Sequence, residues 1–236
     1  MSAKTVHDIV DHAVTRGQPT LSEHESKRLL AAYGIPVNEE ELVCDAAAAG
    51  RAAARLGYPV AVKACSPNLL HKTDRGLVQL GVESAAAVEQ AVAKIDDALS
   101  DTPIDGYLVE RMVPGLRELI VGAVRDATFG PCVMLGLGGV LVEAVGDVAF
   151  RLAPLEQRDA VEMIGELRAQ AIFGPFRNEP AADIVALTDV LVAAGRILTD
   201  NRRIAQIDIN PLIISDSRPV AVDALVTLSD ETGETE

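Results

Sequence analysis

Three separated groups of residues in this chain carry side chains suited to handling phosphate. Lys63 follows an apolar run at 60–62, His71 lies on a polar segment at 66–76, and the oxygen-bearing Asn210 and Asp223 come late in the chain. A lysine, an imidazole and hard oxygen ligands are the components of a metal-assisted nucleotide site. The sequence therefore suggests phosphate chemistry, provided that the fold brings these residues together.

Lys63 is the sharpest of these candidates. Residues 60–64, Val-Ala-Val-Lys-Ala, predict a buried strand, and a buried lysine is costly unless it faces an anion. A nucleotide phosphate supplies such an anion in phosphoryl-transfer enzymes. The alternative interpretation is that the strand ends at Val62 and that the Lys63 ammonium group reaches water. The pattern is equally compatible with both.

His71 lies on a segment rich in Ser, Pro, Asn, Thr, Asp and Gly, beside the cations Lys72 and Arg75. This setting suits a transient phosphohistidine, because the neighbouring positive charges stabilise the phosphate. The alternative is a loop histidine with no chemical role, and from the pattern alone that alternative is favoured.

Asn210 and Asp223 are the candidate metal ligands. The runs Asp-Ile-Asn-Pro at 208–211 and Val-Asp at 222–223 place oxygen donors on neighbouring predicted strands. Mg²⁺ bound with a nucleotide needs only one or two protein oxygens, since phosphates and water supply the others. Asn-Pro is also a common turn starter, so a purely structural role is the alternative.

The elements that would position these residues follow from periodicity, caps and turn residues. Helices are predicted at 5–16, 22–32, 45–57, 84–99, 156–165 and 181–198. Strands are predicted at 37–43, 60–65, 77–82, 106–112, 118–125, 131–135, 140–143, 148–152, 205–214 and 219–228. Meandering strands interleaved with helices predict two α+β lobes, with a boundary near residues 112–115.

Length, charge and composition limit the class of protein. A chain of 236 residues can bury a large core, and a net charge of −14 argues against nonspecific nucleic-acid binding. Apolar runs are too short to span a membrane and the N-terminus lacks a secretory pattern, so we expect a cytoplasmic protein. Few lysines and many acidic residues are typical of a halophile protein, with an ordinary acidic bacterial enzyme as the alternative.

Other motifs are weaker. The turn Gly-Leu-Gly-Gly at 136–139 does not match the dinucleotide-binding fingerprint, so its functional interpretation is limited to backbone N–H groups approaching a phosphate. Three N-terminal histidines are expected to be solvated on polar helix faces: His7, His12 and His24. Three cysteines without paired spacing are expected to be small core residues: Cys44, Cys65 and Cys132.

Taken together, the segments resemble the ATP-grasp fold, and more specifically the β subunit of ADP-forming acyl-CoA synthetases such as acetate–CoA ligase. The likeness runs in order from residue 21 to residue 228. It rests on segments 22–36, 60–64, 66–76, 108–113, 118–122, 125–131, 136–140, 150–154 and 208–212. Succinate–CoA ligase β subunits are more distantly similar.

The resemblance implies an α/β protein of two α+β subdomains with the nucleotide between them. It implies an N-terminal helical extension at 1–20, ATP-grasp subdomains at 21–112 and 113–228, and an acidic tail at 229–236. Because the residues present include no dinucleotide-type CoA-binding domain, it also implies a CoA-binding α subunit as partner, in an α2β2 heterotetramer. The implied reaction converts acyl-CoA, ADP and phosphate reversibly to acid, CoA and ATP.

The resemblance also implies roles for individual residues. His71 would be the catalytic phosphohistidine that relays phosphate from the partner subunit to ADP. The implied binding residues are Lys63 and Gly76 at the nucleotide phosphates, Glu110 and Val113 at the adenine and its hinge, Glu118 near the ribose, and Asn210 and Asp223 as Mg²⁺ ligands.

The segment around Gly76 departs from the family pattern. Members usually carry a Gly-Gly-Val run here, whereas Arg75 and Leu77 flank Gly76 in this chain. We expect the Leu77 side chain to crowd the approach of backbone to phosphate. These two residues favour one alternative function, an ATP- or ADP-sensing module without turnover. A second alternative is an ATP-grasp ligase that joins a carboxylate to an amine, which would not need His71.

Overall fold

A computed structural model describes residues 3–69, 72, 75–99, 102–139 and 146–229. The chain forms two compact units. The large unit comprises Met1–Leu21, Glu25–Val37 and Val113–Glu236, and the small unit comprises Ser22–His24 and Asn38–Met112. None of the helices in the described part of the chain is long and apolar enough to cross a membrane.

The helices are α1 (Ala3–Thr15), α2 (Glu23–Ala32), α3 (Ala46–Leu56), α4 (Ala85–Leu99), α5 (Gln157–Glu166) and α6 (Ile184–Asp200). A short 3₁₀ helix covers Gln170–Ile172. The strands are β1 (Glu40–Val43), β2 (Val60–Cys65), β3 (Val78–Val82), β4 (Gly106–Arg111), β5 (Arg117–Asp126), β6 (Gly130–Leu137), β7 (Val148–Leu152), β8 (Ile204–Ser215), β9 (Arg218–Ala221) and β10 (Ala224–Leu228).

The small unit is an antiparallel sheet in the order β1-β4-β2-β3, packed on α3 and α4. Val60, Val62 and Ala64 of β2 belong to the apolar cluster shared with these helices. Because side chains alternate along a strand, Lys63 lies on the opposite face of the sheet from the two helices.

The large unit is an antiparallel sheet in the order β10-β8-β5-β6-β7, with β9 paired to β8. Its core side carries Val121, Val133 and Ile207, which cluster with apolar residues of α1, α2, α5 and α6. The alternate positions of the same strands, such as Gly122 and Asp208, therefore line the face that these helices leave open.

Several local signals in the sequence are confirmed. The Asp45 carboxylate accepts a 2.7 Å hydrogen bond from the Ala48 N–H at the start of α3, and Gly57 ends that helix with a φ of +84°. Ser84 accepts a hydrogen bond from the Ala87 N–H at the start of α4. These short polar side chains satisfy N–H groups that have no partner within the helix.

Other boundaries differ from the prediction. The strand expected at 37–43 begins only at Glu40, and the one expected at 219–228 is interrupted between Ala221 and Ala224, giving β9 and β10. The strand predicted at 140–143 lies outside the described residues. Residues 1–21 and 25–37 group with the large unit, a different assignment from the predicted extension and first subdomain, because α1 and α2 contribute their apolar residues to its core.

Candidate functional site

Lys63 is buried in the small unit. Strand β2 continues past it to Cys65, and the Lys63 residue is 4% exposed, so the interpretation in which its ammonium group reaches water is wrong. Pairing with β4 on one side and β3 on the other holds the backbone of β2 in place. Burial of an ammonium group at this position requires compensating negative charge.

Two carboxylates provide that charge. Glu110 Oε2 lies 2.9 Å from Lys63 Nζ, and Glu23 Oε1 lies 2.5 Å from the same nitrogen. The β2–β4 register pairs Lys63 with Leu108, which puts Glu110 two residues along β4 and on the same face of the sheet. Two predicted nucleotide-binding residues, Lys63 and Glu110, are therefore in direct contact.

Glu23 is a member of this cluster that the sequence analysis missed. It is the first residue of α2, only 5% exposed, and its second oxygen contacts the Lys72 ammonium group. Forty residues separate Glu23 from Lys63, and an acidic residue in the first turn of a helix is usually explained by the helix dipole.

The Gly76 region has a different geometry from the one expected. Gly76 has a φ of +72°, a conformation that favours glycine, and it is exposed between exposed Arg75 and fully buried Leu77. The Leu77 side chain packs into the apolar cluster with α3 and α4. The expectation that Leu77 crowds a phosphate approaching the backbone is therefore wrong, because its side chain is taken up by the core.

His71, the predicted catalytic residue, lies outside the described residues. Its neighbour in the chain, Lys72, is described: the Lys72 carbonyl accepts a 3.0 Å hydrogen bond from the Leu77 N–H, and the Lys72 side chain is 14% exposed. Lys72 is thus held to the small unit through both its backbone and its side chain.

The large unit brings the backbones of the two predicted metal ligands into contact. The Asn210 N–H donates a 3.2 Å hydrogen bond to the Asp223 carbonyl oxygen. Asp208 lies two residues before Asn210 and on the same open face of β8. Burial, followed by the charge of Asp223, raises the pKa of the Asp208 carboxyl group above its ordinary value. Oxygen donors with this concentration of negative charge suit Mg²⁺, although Asp208 was not among the predicted ligands.

A cavity of about 200 Å³ lies on the same open face of the large-unit sheet. Asp208 forms part of its lining, with Gly122 from β5, Met134 from β6 and Phe150 from β7. Phe150 is 57% exposed on the strand at the sheet edge. The cavity therefore combines a carboxylate with apolar surface, a common composition for a small-molecule site.

Glu118 lies on β5 against the glycine turn. The Gly138 N–H donates a 2.7 Å hydrogen bond to the Glu118 carbonyl oxygen, and a Cβ atom at Gly138 would lie 2.7 Å from the Glu118 carbonyl carbon. Packing against β5 thus explains the glycine at 138, where the sequence suggested approach to a phosphate. Val113, the predicted hinge residue, is half-buried at the first position of the large unit after Met112.

Some weaker expectations need correction. His24 is half-buried, not solvated, because Nδ1 lies 2.7 Å from Glu40 Oε1. Cys44 is exposed because it follows β1 at the turn before α3, whereas burial raises the pKa of the Cys65 thiol to about 11.

The described residues contain no group of three His, Cys, Asp or Glu side chains that could hold a metal ion.

Comparison with known proteins decides the family. The model of the ATP-grasp domain matches residues 12–228. An acetate–CoA ligase (ADP-forming) I β subunit from Pyrococcus furiosus is 38% identical over 225 residues, which cover 94% of this chain and 97% of that one. The chain belongs to the ATP-grasp family of the ADP-forming acyl-CoA synthetases. It is the β-subunit-like ATP-grasp part of such a synthetase.

Two further relatives of the ATP-grasp chain extend the comparison. A 4-hydroxybutyrate–CoA ligase (ADP-forming) from Nitrosopumilus maritimus is 34% identical over 88% of this chain, which spans 30% of that ligase. A structure of dinucleotide-forming acetyl-coenzyme A synthetase 1 from Ca. Korarchaeum cryptofilum, with coenzyme A and Mg-AMPPCP, has a TM-score of 0.84. It is 39% identical, covers 95% of this chain and 100% of its own, and has a phosphohistidine segment pointing towards the nucleotide binding site. The predicted family and ATP-grasp fold are confirmed.

Proposed function

We propose that this chain is the nucleotide-binding β subunit of an ADP-forming acetate–CoA ligase and relays phosphate through His71. The observation that carries the proposal is the likeness to an acetate–CoA ligase β subunit over nearly the full length of both chains. The buried lysine cluster of the small unit and the oxygen donors of the large unit supply the chemistry that such a subunit requires.

The relay is a pair of phosphoryl transfers. On a CoA-binding α subunit, acyl-CoA and phosphate give CoA and an acyl phosphate, which passes its phosphoryl group to a histidine there and leaves as the acid. His71 then takes up that group as the donor N–P bond breaks. An oxygen of the ADP β-phosphate attacks the phosphorus atom, the His71 N–P bond breaks, and ATP leaves a neutral imidazole.

Each binding residue has a defined part in this proposal. Lys63 and the backbone at Gly76 hold the nucleotide phosphates, Glu110 and Val113 hold the adenine side, and Glu118 lies near the ribose. Asn210 and Asp223, with Asp208 beside them, would hold Mg²⁺. When bound, the metal neutralises phosphate charge that lysine alone does not balance.

The acyl group is set by the partner. The similar identity to a 4-hydroxybutyrate ligase indicates that this part of the enzyme serves more than one acid. We therefore place the acid and CoA sites on the α subunit, in an α2β2 assembly, and take acetate as the substrate because the P. furiosus β subunit serves an acetate enzyme.

Reconstitution tests the proposal. The chain is mixed with a CoA-binding α subunit, ADP, phosphate and Mg²⁺, and ATP is measured after addition of acetyl-CoA or 4-hydroxybutyryl-CoA. We expect ATP only when both subunits are present, faster from acetyl-CoA, and none with His71→Ala. Full activity of His71→Ala would contradict the relay, and faster turnover of 4-hydroxybutyryl-CoA would overturn the acetate assignment alone.

A further inference from the structure

The two oxygens of the Glu23 carboxylate contact two different lysines. Oε1 lies 2.5 Å from Lys63 Nζ, and Oε2 contacts Lys72 Nζ. The side chains are 2%, 5% and 14% exposed for Glu23, Lys63 and Lys72. One buried carboxylate thus connects α2, β2 and the segment that follows β2.

Burial gives these contacts energetic weight. An exposed ion pair contributes little to stability, but removal of one partner from a buried pair leaves a charge without compensation and is strongly destabilising. Lys63 keeps a second carboxylate, Glu110, at 2.9 Å. Within the described part of the chain, Lys72 has Glu23 as its ion-pair partner, so loss of the Glu23 charge affects Lys72 most.

Lys72 is also the residue that follows His71. Adjacent Cα atoms are about 3.8 Å apart across a trans peptide bond, so whatever holds residue 72 limits where residue 71 can lie. The Lys72 carbonyl is held by the N–H of Leu77, which is itself fully buried. The Glu23 contact adds a side-chain restraint to that backbone restraint.

We propose that Glu23 is a positioning residue for phosphoryl transfer, which it serves by holding Lys72 and therefore the attachment point of His71. This inference rests on the proposed function. Transfer to or from an imidazole requires the reacting atoms to be aligned, and misplacement by about 1 Å can cost a hundredfold in rate. Glu23 contacts the lysines rather than the reacting atoms, so it acts through them.

The charges of the cluster predict a specific signature. Glu23→Gln removes one negative charge that contacts Lys63 and Lys72, which makes the surroundings of the predicted phosphate site more positive. Nucleotide affinity should therefore stay the same or rise, while phosphoryl transfer slows. A variant that merely damaged the small unit would weaken both.

The test compares Glu23→Gln, Lys72→Met and the double variant in the full chain with an α subunit. Phosphohistidine formation from γ-labelled ATP is timed, binding of Mg-ADP is measured by calorimetry, and hydrogen exchange is followed for peptides covering residues 66–76. We expect each single variant to slow labelling about tenfold or more, while the dissociation constant of Glu23→Gln for Mg-ADP stays the same or falls. The double variant should be no slower than the slower single variant, and exchange in 66–76 should accelerate.

Glu41→Gln is the matched control, because Glu41 belongs to the same unit but pairs with Arg55 at the surface. It should leave all three readouts unchanged. Multiplicative slowing in the double variant, unchanged labelling in Glu23→Gln, or unchanged exchange in 66–76 would overturn the inference. Absence of label from the wild-type chain would instead contradict the proposed function, while the exchange measurement still decides whether Glu23 holds this segment.

Discussion

The Asn210 N–H donates a 3.2 Å hydrogen bond to the Asp223 carbonyl oxygen, so the two residues proposed to bind Mg²⁺ lie side by side where β8 meets β10. Asp208, two residues before Asn210, faces the same side of the sheet and interacts with the Asp223 charge. The two neighbouring negative charges support the proposal that Mg²⁺ binds here.

Asp208→Asn should stabilise the chain in the absence of metal. The pKa of Asp208 is higher in the folded chain than its ordinary value, so folding disfavours the ionised form, and the free energy of unfolding falls as pH rises through that pKa. Above it, the melting temperature of Asp208→Asn should exceed that of the wild type. The difference should vanish at lower pH, where Asp208 is protonated in both states.

Mg²⁺ should favour the wild type over Asp208→Asn. Mg²⁺ with ADP should raise the melting temperature of the wild type more than that of Asp208→Asn, and Asp223→Asn should behave similarly. Asp97→Asn, which removes an equal charge from an exposed site on α4, serves as control. Equal responses to Mg²⁺ in the Asp208, Asp223 and Asp97 variants would contradict the metal assignment.

Lys63→Met should weaken both folding and nucleotide binding. Loss of the ammonium group leaves Glu23 and Glu110 close together in a buried environment, which should lower the free energy of unfolding by about 3 kcal/mol. Denaturation in urea measures this change, and calorimetry measures binding of Mg-ADP. If Lys63→Met were more stable than the wild type with unchanged affinity, the lysine would be neither structurally required nor a ligand of the nucleotide.

Part of this site could be predicted from the sequence. The apolar run around Lys63 indicated a buried strand, and the residues near Asn210 indicated oxygen donors on neighbouring strands, because both signals are local. Glu23 could not be found in that way, since its partners lie 40 and 49 residues away in the chain. The orientation of Leu77 was also mispredicted, because strand periodicity does not show on which face a helix pair will pack.

Most helices and strands of the fold could be predicted from local signals. Caps at Asp45 and Ser84 and the alternating strands gave most elements within a few residues. The grouping of α1 and α2 with the large unit reflects an apolar cluster that Leu29 and Leu30 share with residues of β5, β8 and α6, which no local pattern encodes.

Gly138→Ala should disturb Glu118. The added Cβ atom would lie 2.7 Å from the backbone of β5, and relief requires movement of that strand, so we expect a loss of about 2 kcal/mol in stability. Gly50→Ala is the control, because Gly50 lies inside α3 with open space around it and alanine favours helix by up to about 1 kcal/mol. Equal stability changes in the two variants, measured by urea denaturation, would contradict this packing account.

Salt should stabilise the chain if its acidic surface is an adaptation to high ionic strength. A net charge of −14 produces self-repulsion, which KCl screens. The melting temperature should rise as the KCl concentration is increased from about 0.1 M to about 2 M. Neutralising the exposed residues Glu89 and Asp97 as Gln and Asn should reduce that rise. A melting temperature independent of KCl would count against the halophile hypothesis.

The most direct test of the proposed function is phosphorylation of the chain itself. The wild-type chain and His71→Ala are each incubated with Mg²⁺, γ-labelled ATP and a CoA-binding α subunit, and the two subunits are separated before label is measured. We expect acid-labile, base-stable label on the wild-type chain and none on His71→Ala. Equal label on both chains, or a wild-type chain that stays unlabelled while the complex makes ATP from acetyl-CoA, would contradict the phosphohistidine relay.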